Sequence, residues 1–364
     1  MKYIKQLDSL RAIAVFLVIF SHWVTIRSIN KFINNSDIGA IGADIFFVLS
    51  GFLITRILFD SRNKAEVIQI PISTVIKNFY IRRTLRIFPI YYFTIILLFY
   101  FQANTGTNIK TAFLYFVTYT SNFYFFNIQH WDGIISHLWS LAVEEQFYLI
   151  WPWVILFIRK KYFLPVIMVF IFLGIISQLL LKDVPLNYVL TFTCFDAFGL
   201  GALLAWQVTY RQASIKMFYK RATVISCFAV IMLLIGLLQG QWRYIPLRTI
   251  VAILSVWMIA YILVNEGKET VIFKYLLNNK VLIFIGKISY GIYMYHNIVP
   301  YMLNIQIIDK YFNPLLPDLI LKKYWTSLYL FENSVLLILI SWASYVFIEK
   351  KFLKFKEHYR YQTS

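Results

Sequence analysis

Arg11 and His22 stand eleven residues apart in one apolar stretch, LDSLRAIAVFLVIFSHW at residues 7–23. At 100° per residue, eleven steps return a helix to within about 20° of the same face, with a rise of roughly 16 Å. Both groups therefore line one stripe. Ionisable side chains inside a membrane helix usually face a bundle interior and mark a pathway or a site. The plainer use is snorkelling, Arg11 to one set of headgroups and His22 to the other interface. A second constellation lies in SHLWSLAVEEQFYLIWP at 136–152, where His137, Ser140, Glu144 and Tyr148 form a polar stripe on one helix face. Glu145 and Gln146 add polarity near mid-span. A lone histidine at the end of a span is ordinarily interfacial, as His137 would be, but two adjacent glutamates at membrane depth are costly and point to function.

Three further groups have less specific signals. Asp44, in GADIFFVLSGFLITR at 42–56, requires a partner at membrane depth, while Gly51 reads as a close helix crossing. Arg83 and Arg86 lie one turn apart beside Arg82 and point the same way, a spacing suited to clamping a polyanion such as phosphate. Headgroup anchoring is the plainer use of each. Ser289, Tyr293 and His296 share a face in GKISYGIYMYHNIVP at 286–300, where hydrogen bonding within a bundle would also explain them. Asp196, near Gly199 and Gly201, reads equally as a packing kink.

The elements that position these residues follow from composition. The chain of 364 residues is 60% hydrophobic and 14% charged, with a mean hydropathy of +0.67. Soluble domains run at about 45–50% apolar and about 25% charged. The fold class is therefore an all-α polytopic membrane protein. Apolar windows at 9–27, 40–60, 84–103, 136–158, 163–181, 186–209, 221–239, 245–264, 284–304 and 328–348 predict about ten transmembrane helices. The stretch 70–83 reads as a separate surface helix, and 111–126 as an interfacial helix that does not cross. With both termini cytoplasmic, the cytoplasmic segments carry most of the 35 lysines and arginines, and a minority, among them Arg27, Lys31, Arg243 and Arg248, falls outside. The net charge of +18 is thus topological, and no nucleic-acid partner is implied. The first span reads as an uncleaved signal anchor. Cys194 and Cys227 read as buried small hydrophobes without metal-ligand spacing. The largest outer loop is expected at 305–327, with Pro314 and Pro317, so residues 1–364 form a single transmembrane domain with the lipid bilayer as its first partner.

Together these pieces resemble acyltransferase family 3, membrane proteins that O-acylate cell-surface carbohydrates. The matching segments are LDSLRAIAV with His22 eleven residues after Arg11, GADIFFVLSGFLI at 42–54, Arg83-Thr-Leu-Arg86, HLWSLAVEEQFY at 137–148 and ISYGIYMYH at 288–296. The resemblance implies a transferase in the cell (cytoplasmic) membrane, moving an acetyl or other short acyl group from acetyl-CoA or another acyl-CoA to a hydroxyl of a carbohydrate acceptor, with no metal. It implies His22 as catalytic base, with Arg11 and Glu144 as catalytic companions and Arg83 and Arg86 holding the donor. Asp44, Ser140, Glu145, Tyr148 and His296 are the remaining candidates, as supporting or substrate-binding groups. Some members carry a fused extracytoplasmic esterase-like domain. No stretch here reads as one, which leaves open where the acceptor receives its acyl group and whether a separate extracytoplasmic acyltransferase partner assists.

The chemistry is consistent with imidazole, whose pKa suits a general base near neutrality. His22 would take a sugar hydroxyl's proton, or attack the thioester itself and form an acyl-imidazole. Glu144, reaching His22, would fix its tautomer, and Arg11 or nearby polar groups would offset a developing oxyanion. The rival class is a transporter or flippase for lipid-linked sugars, which usually betrays internal repeats or discontinuous helices. Neither is visible in the sequence. A purely structural membrane scaffold leaves the Arg, His and Glu array unexplained.

Overall fold

Residues 3–24, 38–239, 246–268, 270–312, 318–355 and 359 are described by the structure, a computed structural model. Every regular element among them is helical. The long elements are α1 (Gln6–Val24), α2 (Ile38–Val67), α3 (Ile72–Tyr100), α4 (Leu138–Phe157), α5 (Phe163–Leu180), α6 (Phe195–Tyr210), α7 (Ile215–Gln239) and α8 (Leu247–Val264). Two short helices, α9 (Lys280–Lys287) and α10 (Ser289–Tyr295), precede α11 (Asp318–Ser344). Among the described residues, seven helical stretches, those containing α2, α3, α5, α6, α7, α8 and α11, are long and apolar enough to cross a membrane. The chain is a multi-pass, all-α membrane protein. α1, which carries Asp8, Arg11 and His22, and α4, which carries Glu144, Glu145 and Gln146, are not among the seven.

Close helix crossings at glycine hold the centre together. A Cβ at Gly51 would lie 2.1 Å from the carbonyl oxygen of Phe198, and one at Gly201 would lie 2.2 Å from that of Val48. α2 and α6 therefore touch backbone to backbone, as Gly51 in the second span led us to expect, whereas Gly201, read with Asp196 as part of a packing kink, sits in the same crossing. Gly42 meets Ala14 of α1 in the same way, and Gly286 of α9 meets Asp8. These contacts draw α1, α2, α6 and α9 together. The aromatic core fills the spaces beside them, with Phe147 stacked on Phe198 at 4.2 Å.

Several sequence expectations are corrected. The surface helix expected at 70–83 is continuous with the third span: no glycine or proline interrupts residues 72–88, and Pro71 sets the start of the 29-residue α3. The ninth span is not one helix but α9, α10 and then a π-helical stretch, Pro300–Phe312. Proline has no N–H to offer the carbonyl four residues earlier. That carbonyl, of His296, instead accepts from the Trp23 indole at 2.8 Å. The loop expected at 305–327 is helical up to Phe312 and again from Asp318, while Pro314 and Pro317 lie outside the described residues. So do Arg27, Lys31, Arg243 and the end of the first window. Segment 111–126 forms two short helices, Phe113–Val117 and Ser121–Ile128, neither long enough to cross. The hydroxyls of Tyr91 and Tyr92 of α3 donate to its backbone carbonyls at 2.8 and 2.9 Å. Cys194 is buried as expected, but Cys227 is exposed on α7 beside Val224, Phe228 and Ile231, an apolar face that suits lipid.

Candidate active site

The polar stripe of α4 and the Arg83–Arg86 turn of α3 converge on one cavity of about 600 Å³, within the range of small-molecule sites. Along α2 it is lined from Ala43 to Lys64, twenty-one steps of helix, or about 31 Å. One end is basic: Lys64, Arg82, Arg83, Arg86 and Arg11 line it, with Asp60 as a carboxylate among them. Glu144, Tyr148 and Ser50 line the wall, and Ala43, Phe46, Ser140 and Tyr293 line the other end.

Glu144 has definite partners, and His22 is not among them. Its carboxylate accepts from Ser50 at 3.0 Å and from Tyr148 at 3.1 Å, and the two hydroxyls lie 2.9 Å apart. The guanidinium of Arg83 sits 5.3 Å from the centre of the Tyr148 ring, in cation–π range. Glu144 is thus tied to the arginine wall, not to the histidine it was expected to orient. Arg11 also differs from expectation. It forms an ion pair with Asp8 one turn earlier, and Asp8 accepts from Tyr3 as well. The rise along α1 separates Arg11 from His22 by roughly 16 Å, too far for Arg11 to meet an oxyanion formed beside that imidazole.

His22 lies past the inner end of the cavity, in a cluster of histidines. Its ring centroid is 5.0 Å from that of His296, and His296 is 4.8 Å from His137. Tyr293 connects cluster and cavity: it lines the cavity, its hydroxyl lies 2.5 Å from Ser140, and its ring is 5.5 Å from His296. His137, read from sequence as interfacial, is buried at 2% exposure, with Nε2 against the Met294 carbonyl and Nδ1 against the Asn297 amide. A histidine that also starts a stripe containing Ser140 and Glu144 was the available signal for this.

The remaining candidates separate into supports and outliers. Asp44 is buried and paired with Arg248 at 2.6 Å, so Arg248 is not an outer-loop cation. Glu145 does not line the cavity, and its Oε1 is buried with no hydrogen-bond partner among the described residues. Gln146 donates to the Tyr119 carbonyl at 2.8 Å and to Asn122 at 2.9 Å, pinning the two short helices against α4. Asp196 accepts from Thr249 at 2.6 Å. Among the described residues, no group of three or more histidines, cysteines and carboxylates is arranged to hold a metal ion.

The chain belongs to acyltransferase family 3, whose family model, described as an acyltransferase domain, matches residues 4–348. It is 33% identical over 324 residues to the peptidoglycan O-acetyltransferase OatA of Listeria monocytogenes, covering 81% of this chain and 49% of that protein. It is 29% identical over 333 residues to a putative O-acetyltransferase of Staphylococcus aureus strain COL, covering 81% and 50%. The O-acetyltransferase OatA of Staphylococcus aureus strain NCTC 8325 is likewise 29% identical over 326 residues, again covering 81% and 50%. The chain thus spans about half the length of these curated relatives. No solved structure matches it.

Proposed function

We propose that this chain transfers an acetyl or other short acyl group from acyl-CoA to a hydroxyl of a surface carbohydrate, and that residues 1–364 act as one transmembrane acyltransferase domain of the cytoplasmic membrane. The observation that carries this reading is the cavity, basic at one end and ending at Tyr293 beside the histidine cluster. Coenzyme A is anionic at its nucleotide and thiol-ended at its pantetheine arm. Arg83, Arg86, Arg82 and Lys64 suit the phosphates, and the apolar wall of Phe46, Phe47 and Leu53 suits the arm. The thioester then lies toward Ser140 and Tyr293, with His22 beyond them. Arg11, paired with Asp8, belongs to the donor end. Glu144, bonded by Ser50 and Tyr148, shapes the wall on which Arg83 rests.

In the reaction, His22 takes the proton of the acceptor hydroxyl as its oxygen attacks the thioester carbonyl carbon. The carbon–sulfur bond breaks, and the departing thiolate receives the proton. A covalent acyl-histidine route uses the same residue. Consumption of acetyl-CoA by purified protein in detergent, with a carbohydrate acceptor supplied, tests the reading. A transporter, flippase or scaffold would leave acetyl-CoA intact.

For topology, we propose ten crossings with both termini cytoplasmic, taking α1, α4 and the broken α9–α10 segment as spans beside the seven helices. Reporter fusions at Asn127 and Lys160 are expected to read outside and inside respectively. Lys160 found outside would overturn the arrangement.

Donor binding gives a second expectation. Arg83→Lys keeps the charge but loses the planar fork, so coenzyme A affinity should fall about tenfold, or about 1.4 kcal/mol. The affinity should also weaken as salt rises. Calorimetry with coenzyme A on wild type, Arg83→Lys and Arg86→Lys checks this. Unchanged affinity in both variants would mean the phosphates are held elsewhere and the arginines only anchor headgroups.

A further inference from the structure

We propose that His296 is a positioning residue for His22: its Nε2 lone pair accepts the hydrogen bond that His22 donates while His22 acts as base. The inference rests on the reading of His22 as the base, and it replaces the role first assigned to Glu144.

The tautomer of each ring follows from the acceptors it faces. Nδ1 of His296 lies 2.6 Å from the carbonyl oxygen of Tyr293. A carbonyl only accepts, so Nδ1 carries the proton and Nε2 bears the lone pair. That Nε2 is buried and, among the described residues, has no hydrogen-bond partner, in a residue with 0% exposure. His137 is fully engaged by contrast. Its Nε2 donates to the Met294 carbonyl at 3.2 Å, and its Nδ1 accepts from Asn297 at 3.2 Å. Of the two histidines beside this point, only His296 offers an unfilled acceptor. A buried acceptor without a donor calls for an explanation.

His22 supplies one. With centroids 5.0 Å apart, nitrogen comes to within roughly 3 Å of nitrogen, the reach of a hydrogen bond, when the His22 ring turns one nitrogen toward Nε2 of His296, which keeps its Nδ1 bond to Tyr293. The spacing is held from the backbone side, because Trp23, next in sequence to His22, donates its indole N–H to the His296 carbonyl at 2.8 Å. α1 and the end of α10 are thereby locked at this level. A neutral His22 whose N–H points at His296 presents its other nitrogen, with its lone pair, to the acceptor hydroxyl. The hydroxyl O–H then breaks, and its proton goes to that lone pair. Oxygen bonds to the thioester carbon, the C–S bond breaks, and the thiolate carries the proton away. His296 keeps its own Nδ1 proton throughout. It selects the tautomer and steadies the imidazolium.

The test uses the full chain in detergent, with His296→Gln, His296→Asn, His22→Ala and wild type compared for kcat, KM for acetyl-CoA and thermal unfolding. Glutamine sets an acceptor near the Nε2 position, whereas asparagine reaches only the Nδ1 position. We expect His296→Gln to keep kcat within about threefold of wild type and His296→Asn to lose at least about tenfold, with KM for acetyl-CoA unchanged in both. Equal kcat in the two variants at equal thermal stability would overturn the proposal and leave His296 a packing residue. Transfer that survives His22→Ala would instead overturn the base assignment itself, a distinct result.

Discussion

His22→Ala is expected to cut acyl transfer by at least about a hundredfold, the usual contribution of a positioned general base. The geometry sharpens this beyond loss of activity. His22 does not line the cavity, whereas Arg83, Arg86 and Tyr148 do. Coenzyme A should therefore bind the variant with unchanged affinity while turnover collapses. Fold is not expected to suffer, because α1 remains held by the Gly42 and Gly286 crossings and by Trp23. Stopped-flow or single-turnover assays with acetyl-CoA, run beside a coenzyme A titration, separate the two quantities. Normal transfer by a folded His22→Ala protein would exclude this imidazole from the chemistry. Weakened coenzyme A binding with unaltered single-turnover rate would place His22 in the donor site instead.

Which face of each helix matters was readable from the sequence, because period and spacing set it. Ser140, Glu144 and Tyr148 do share a face and do line one cavity with Arg83 and Arg86. Gly51 marks a true backbone contact, and the need of Asp44 for a partner was a matter of solvation alone. The partner across the bundle was not readable. Glu144 meets Ser50, ninety-four positions away, and helical spacing carries no information on that pairing. His137 was taken for an interfacial residue because its depth depends on the α10 segment that covers it. Counting basic residues by side treats each as seeking headgroups, which is why Arg248 was assigned to an outer loop. The break in the ninth span was signalled by Pro300, but its stabilising donor, Trp23, comes from the first helix.

Breaking the Asp44–Arg248 pair is expected to produce the largest loss of stability among single substitutions in the bundle. Both side chains are buried, at 3% and 5% exposure. Nε of Arg248 donates to Asp44 at 2.6 Å, while Nη1 and Nη2 donate to the carbonyls of Thr193 and Tyr188 at 2.9 and 2.8 Å. One guanidinium thus joins α2, the turn before α6 and the start of α8. Removing one partner strands a desolvated charge, which costs about 3–5 kcal/mol. Asp44→Ala and Arg248→Met should each lower thermal stability by that order. The double variant should lose much less than the sum, because it leaves no charge stranded. Arg248→Met also deprives two carbonyls of their donor, so the double variant should still fall below wild type. The guanidinium lies 5.9 Å from the Phe47 ring, a residue of the cavity wall, so acyl transfer should decline with stability. Thermal unfolding in detergent on the four proteins of this cycle measures the coupling. Strictly additive losses would show that Asp44 and Arg248 act independently.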